Sequence, residues 1–519
     1  MCRRRNEVNM KYRNPIVRGY SPDPTICRAG EDYYLVNSSF EFFPGLPVYH
    51  SKNLANWELI SYALNRESQL DLYKCTPSGG IFAPTLRLHD GTFFLCTTNV
   101  SSHGNFIIHT KDITGEWSEP VWVAQGGIDP SLLFDEDGTV YFCSAIFDEE
   151  RTGIYLSEIN PFTGEIKKGP VCITTGCGGR YAEGPHLYKI HGMYYLMMAE
   201  GGTEYGHTET IMRSSNPYGP YEACPHNPIL SKVDSMMEDI KCTGHADLME
   251  DHNGNWWLVF LAVRPITDEH RRVLLHNLGR ETFLAPVTWE NGWPVVNGGH
   301  EVMMEMDGPL PQEASAPCWN FTDDFSKQEN PLEYNYLRNP HMEHYERDTQ
   351  NACLVLTGTD VTLSDMDAPT IQMVRQREFC ATAEVTVSPA NVQKDGRLGL
   401  AAFYSNDYHY EIYYTEKDGS GRICLSRRIH DLEAVTAEHE VSEASEKEAL
   451  RLRIIADKES YRFYYSLGAE APYVYLGCGD TAGLCTEITR TMTFTGVYFG
   501  MFAERATGAF REFKVTYEE

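Results

Sequence analysis

The chain has 519 residues, of which 42% are hydrophobic and 23% charged: the composition of a soluble globular protein long enough for two or three domains with full cores. Its 73 acidic and 44 basic residues give a formal charge of −29, a field that repels phosphate backbones and anionic headgroups and so excludes nucleic acid and membrane surfaces as expected partners. No apolar run reaches the roughly 18 residues needed to span a bilayer, and the 15 cysteines are odd in number and form no CxxC pair, which reads as reduced thiols in a cytoplasmic protein.

Residues 1–13 read as a basic tail, MCRRRNEVNMKYR, without the apolar run of a secretion signal. From residue 14 to about 305 a loose repeat recurs. A turn glycine precedes two bulky apolar residues: Gly30 before Tyr33-Tyr34, Gly91 before Phe93-Phe94, Gly138 before Val140-Tyr141, Gly192 before Tyr194-Tyr195 and Gly254 before Trp256-Trp257. Each follows a short apolar run, which is the pattern of a hairpin. Five hairpins at intervals of roughly 45 to 60 residues, with no sustained helical periodicity, predict a five-bladed β-propeller over residues 14–305.

The head of each repeat carries a distinctive residue. Asp23 stands in Ser-Pro-Asp-Pro, Asp129 in Ile-Asp-Pro-Ser, Glu183 in Ala-Glu-Gly-Pro and His245 in Gly-His-Ala-Asp, while the second repeat has Ala83-Pro84-Thr85. The inner strands of a propeller converge on its axis, so these positions are expected to meet in one funnel. Residues 306–319, opening Met306-Asp307-Gly308-Pro309, read as a linker. Residues 320–519 carry period-2 runs, such as Arg397 to Tyr404, Tyr408 to Tyr414 and Leu450 to Ile455, that predict a β-sandwich. The fold class is therefore all-β.

Three converging carboxyl groups meet the requirement of cofactor-free glycosidic cleavage. One acid protonates the leaving oxygen, a second serves as nucleophile or as base for water, and a third can push their pKa values apart. Proline after Asp23 and Asp129, and Gly184-Pro185 after Glu183, would hold the carboxyls rigidly. Singly, an Asp before Pro is an ordinary turn starter; the agreement of three repeat positions is what points to a site. His245 reads either as a hydrogen-bonded axial histidine or as a ligand to an axial water or calcium. The 12% aromatic content suits both β-structure and stacking on sugar rings.

These motifs closely resemble glycoside hydrolase family 43, in its β-xylosidase/α-L-arabinofuranosidase branch. The resemblance runs from Asn14-Pro15-Ile16 and Ser21-Pro22-Asp23-Pro24 through Phe40-Glu41-Phe42-Phe43-Pro44-Gly45, Gly79 to Pro84, Asp129-Pro130-Ser131, Glu183-Gly184-Pro185-His186, Gly244-His245-Ala246-Asp247 and Leu278-Gly279-Arg280 to Phe494 through Met501. It implies a five-bladed propeller with a concanavalin-like C-terminal sandwich and an inverting, exo-acting hydrolase that takes pentose from short plant cell-wall oligosaccharides. It further implies Asp23 as general base, Glu183 as general acid, Asp129 as modulator of the acid's pKa and Arg280 as a contact to sugar hydroxyls. Phe40, Phe82 and Ile128 are implied as walls of the sugar subsite, and His245 as the axial histidine that in some members sits beside calcium. No cofactor is otherwise implied, and a homo-oligomer stays open. Phe82 stands where relatives carry Trp and Ile128 where an aromatic is common, which leaves the choice of pentose open. The sandwich either binds carbohydrate itself or caps the funnel with its Phe494 to Met501 loop. Outside this reading stand a non-catalytic sugar-binding propeller and a retaining enzyme with Asp23 as nucleophile.

Overall fold

Each of the five glycine-centred repeats forms the two inner strands of one antiparallel sheet. The inner strands are Thr25–Ala29, Thr85–His89, Ile128–Phe134, Glu183–Ile190 and Lys241–Glu250, and each sheet continues outward through its next strands in chain order. The hairpin turns explain the glycines. At Asp90-Gly91 and His191-Gly192 both turn residues take positive φ, the tight two-residue turn whose twist matches its flanking strands. The computed structural model describes residues 9–518 apart from 238, 268–273, 317 and 442–449. The five blades expected from the repeat count are the five blades observed.

The ring is closed by the segment after residue 13. Asn14 Nδ2 donates to the Leu284 carbonyl at 3.0 Å and its Oδ1 accepts from Leu284 N at 2.9 Å, while Ile16 N and Ser21 N bond to the carbonyls of Thr282 and Arg280. The N-terminal segment thus lies along strand Glu281–Glu290 of the fifth blade and leads into the first. Two sequence boundaries shift as a result. Met10–Arg13, read as tail, pairs antiparallel with Glu305–Gly308, the start of the segment read as linker. Tyr12, Met306 and Leu310 are buried with Trp257 in the propeller core, so burial of apolar surface outweighs the Asp-Gly-Pro turn signal there. Residues 1–8 and 317 of those two segments lie outside the described residues.

Deep in the axis the blades are pinned by one buried ion pair. Arg87 of the second blade contacts Asp247 of the fifth through Nη1 at 2.8 Å and Nη2 at 3.1 Å. Thr25 of the first blade and Tyr188 of the fourth each donate to the same carboxylate at 2.7 Å. Against the cost of burial, the Arg87 charge and these donors hold Asp247 well below the carboxylate range.

Residues 321–517 form the sandwich. Two long strands, Ala381–Ser405 and Tyr498–Tyr517, run antiparallel to each other with bulges and serve both layers: residues 381–387 pair with Leu450–Ala456, and residues 397–405 with Tyr408–Lys417. Strand alternation then sorts the side chains. Leu398, Leu400, Ala402 and Tyr404 fill the sandwich core, whereas Ala401 and Phe403 point the other way and join Tyr20, Phe40 and Phe42 of the propeller. The short strand Tyr336–Leu337 pairs with Phe42–Phe43, so the two domains share backbone hydrogen bonds as well as apolar surface. No helix among the described residues is long and apolar enough to cross a membrane.

Candidate active site

The carboxyls reach the axis because the inner strands break their ladders where they begin. Register shifts fall between Ile128 and Ser131, between Glu183 and His186, and at Gly244. Bulges of this kind re-aim side chains next to functional sites. The backbone is left-handed at each break: φ is 54° at Asp129, 58° at Gly184 and 51° at His245, and Asp23 before its strand has φ 50°. Non-glycine residues seldom hold this conformation outside over-determined sites. Pro130 and Pro185 sit inside the broken stretches, where a missing N–H costs no ladder bond. Asp129 and Glu183 are the second and first residues of their strands, at the repeat heads where the sequence pattern puts them.

Four blades supply the polar centre. Asp23 accepts from Arg280 Nη1 at 2.9 Å and from Ser38 Oγ, and His245 Nδ1 stands 3.7 Å from its Oδ1. Asp129 accepts from Gly184 N at 3.1 Å, which ties it to the backbone beside Glu183. Burial, and then the charges of Asp129 and Asp23, push the Glu183 carboxyl up to about 8. Burial also raises Asp129, with the Asp23 charge adding to it and His245 opposing. Glu183 is thus a protonated acid at neutral pH beside carboxyls placed for other work.

An aromatic wall closes one side. Phe40 and Phe82 have ring centroids 5.1 Å apart, and Phe494, delivered by the sandwich, lies 5.5 Å from Phe40 and 5.9 Å from Phe82. The Arg280 guanidinium sits over both Phe40 and Phe494, at 5.5 and 5.1 Å. The cap loop docks backbone to backbone: Val497 N donates to Asn277 O at 2.9 Å, and a Cβ on Gly496 would meet Leu278 O at 2.4 Å. Glycine at 496 is what allows this approach.

Residues 12–294 match the family model described as glycosyl hydrolases family 43, and residues 322–517 match the model of the β-xylosidase C-terminal concanavalin A-like domain. The chain belongs to glycosyl hydrolase family 43. It is 38% identical over 499 residues, 95% of this chain and 91% of the relative, to the non-reducing end α-L-arabinofuranosidase BoGH43B of Bacteroides ovatus. It is 32% identical over 521 residues to a β-xylosidase of Bacillus subtilis, covering 96% and 97% of the two chains. Among solved structures, Bacteroides ovatus xyloglucan PUL GH43B superposes with a TM-score of 0.90 at 36% identity, covering 98% of this chain and 100% of that one. A xylan β-1,4-xylosidase from Bacillus halodurans gives 0.90 at 29% identity over 97% and 100%. This family 43 chain is a glycoside hydrolase with the propeller and concanavalin-like sandwich expected of it.

Of the residues singled out from sequence, Asp23, Asp129, Glu183, His245, Arg280, Phe40 and Phe82 come together. Ile128, the neighbour of Asp129, makes no ring contact in that wall: it pairs with Ala145 and is half-buried against the apolar cluster between the third and fourth blades. Two contacts escaped the repeat logic. Ser38 bonds Asp23, and Thr203 Oγ1 accepts from Arg280 Nη1 at 3.2 Å. Both sit on loops outside the hairpin register, where spacing carries no signal.

Family 43 enzymes generally need no cofactor. Two buried carboxylates lie beside His245: Asp23, held by Arg280 and Ser38, and Glu209, which accepts from Ala246 N at 3.1 Å. Among the described residues no group of three or more His, Cys, Asp or Glu is placed to hold a metal.

Proposed function

We propose that this enzyme is an inverting exo-glycosidase releasing pentose, α-L-arabinofuranose and/or β-D-xylose, from the non-reducing ends of short plant cell-wall oligosaccharides. The observation that carries the reading is the contrast among the three axial carboxyls. Glu183 is pushed up to about 8 by burial and by its acidic neighbours, whereas Asp23 is held by a guanidinium and a hydroxyl. In this reading Glu183 gives its proton to the glycosidic oxygen as the bond to the anomeric carbon breaks. Asp23 takes a proton from the water that attacks the opposite face of that carbon. Asp129 keeps Glu183 protonated through its charge and orients it through Gly184 N. Arg280 fixes Asp23 and meets sugar hydroxyls.

The cap supports exo action, because Phe494 and its loop close one side of the funnel over the Phe40–Phe82 wall. The names of BoGH43B and the Bacillus subtilis β-xylosidase support a pentose. Phe82 in place of a larger indole leaves a shorter wall, which favours the flatter furanose. We further propose a reducing, cytoplasmic setting: all described cysteines are free thiols, and burial pushes Cys27 and Cys75 up to about 12.

The test is a panel of nitrophenyl α-L-arabinofuranoside, β-D-xylopyranoside and related glycosides, with wild type and Glu183→Ala. Turnover by wild type supports the enzyme; on the glycosides of the panel with poor leaving groups, loss of turnover in the variant supports Glu183 as acid and unchanged turnover removes it. Proton NMR of the first-formed anomer separates the two mechanisms. An inverted product supports Asp23 as base, and a retained one makes it the nucleophile.

A further inference from the structure

A carboxyl group with no place in the chemistry lies directly behind the aromatic wall. Glu41 follows Phe40 in the chain and is 1% exposed at the seam between the domains. Its own backbone carbonyl accepts from Arg338 N of the sandwich at 2.8 Å. The Arg338 guanidinium makes no ion pair with it. Nε, Nη1 and Nη2 of Arg338 donate instead to Cys75 O, Asp367 O and Asn406 Oδ1, each at 2.7 Å. The other titratable groups felt here are Cys75, Tyr20 and Tyr498. Burial pushes the Glu41 carboxyl up to about 7. The Arg338 charge opposes that rise without pairing to the carboxyl, and an apolar residue of the same volume would fill the space at less cost.

What the carboxyl does is hold one turn. Glu41 Oε2 accepts from Ser78 N at 2.9 Å, and Ser78 has left-handed backbone with φ 61°. In that conformation Ser78 Oγ accepts from Phe494 N at 2.9 Å. Three segments far apart in sequence are thereby joined in series: the Phe40 turn, the turn at 75–80 and the cap loop of the sandwich. The turn is fixed on its other side too. Phe40 N donates to Ile81 O at 2.9 Å, Ile81 N donates back at 3.1 Å, and a Cβ on Gly80 would meet Phe40 O at 2.3 Å. Both ends of the series are rings flanking Arg280, at 5.5 Å for Phe40 and 5.1 Å for Phe494.

We propose that Glu41 is a positioning residue of the sugar pocket: through Ser78 it sets Phe494 of the sandwich against Phe40 of the propeller, and so sets the width of the wall without touching substrate. This rests on the assignment of the funnel as the pentose site. The wall meets the sugar alike in ground and transition states, so disturbing it raises KM and leaves kcat in place.

The experiment uses the full chain and the aryl pentoside that wild type turns over best. Glu41→Leu, which keeps the volume and loses the acceptor, raises KM about ten-fold with kcat within about two-fold. Glu41→Gln retains an oxygen for Ser78 N and restores KM to within about two-fold of wild type. Glu41→Leu combined with Phe494→Ala shows the KM of Phe494→Ala alone, because both act through one ring. Ser78→Ala, which removes only the hydroxyl, reproduces the KM rise and serves if Glu41→Leu does not fold. Unchanged KM in Glu41→Leu or in Ser78→Ala, or additive effects in the double variant, overturns the proposal while wild-type turnover leaves the pentosidase reading standing. Absence of aryl pentoside turnover in wild type sinks both.

Discussion

The propeller and the sandwich bury polar groups in opposite ways. In the propeller, repetition brings the same strand position from several blades to one axis, so Asp23, Asp129, Glu183 and His245 meet although they span more than two hundred residues of sequence. The lower axis does the same for Arg87, His186, Tyr188 and Asp247. In the sandwich the buried charges gather on one sheet face, where Arg397 contacts Glu411 at 2.8 Å as well as Glu504, and His409 lies 3.0 Å from Glu411. Glu504 also accepts from Leu363 N at 2.7 Å, and His409 stacks on Phe403. The two clusters differ in counter-charge: Arg397 pairs with both sandwich carboxylates, whereas burial and acidic neighbours push the Glu183 carboxyl up to about 8. Backbone irregularity is common to both: the propeller heads are bulged and left-handed, and in the sandwich a register shift precedes the Arg397–Glu504 pair, with Arg505 at φ 46°.

The sharpest way to break that contrast is to remove one carboxyl from each domain. Glu183→Ala is expected to lower kcat/KM on a glycoside with a poor leaving group by about 10³-fold, the scale of general acid catalysis. Glu411→Gln is expected to lower the melting temperature and leave kcat/KM within about two-fold, since it perturbs a structural pair only. If the sandwich variant lost activity on the scale of the propeller variant, the division of labour would fail.

The next effect in size concerns the seam. Glu378 of the sandwich accepts from Arg264 Nη1 at 2.6 Å and from Arg18 Nη1, both propeller residues, and all three side chains are largely buried. Glu378→Ala leaves buried guanidinium groups short of a partner and is expected to cost about 3 kcal/mol. Urea unfolding followed by tryptophan fluorescence measures this. A single transition moved to lower denaturant is expected, and an unmoved midpoint would mean that the two domains do not depend on this pair.

The propeller was far more legible in sequence than the sandwich's part in the site. Gly91, Gly192 and the other turn glycines mark hairpins because only small local rules decide them, and counting those hairpins yields the blade number. The convergence of Asp23, Asp129 and Glu183 follows from that count. What spacing cannot carry is contact between elements with no shared repeat. Ser38 and Thr203 act from loops, and the bulge between Ile128 and Ser131 leaves Ile128 half-buried against the inter-blade cluster. Met10–Arg13 and Glu305–Gly308 looked like tail and linker because each has a strand partner only in the other.

The smallest expected effect isolates the acid from the rest of the axis. Glu183 has an ordinary value of 4.5 and stands at about 8 in the folded chain, through burial first and then Asp129 and Asp23. With Glu183 as the proposed acid, the alkaline limb of the kcat/KM profile is expected near that value, and Asp129→Asn, which removes one raising charge, is expected to move the limb to lower pH. Stability follows the same group with a definite sign. Between 4.5 and about 8 the folded chain binds the proton and the unfolded chain has released it, so the stabilisation is complete below 4.5 and is lost as pH rises through about 8. Glu183→Gln carries no such proton. Its melting temperature relative to wild type is therefore expected to rise between pH 5 and pH 9, and parallel melting curves across that range would show that the buried acid is not what distinguishes the propeller axis from the silent carboxyls of the sandwich.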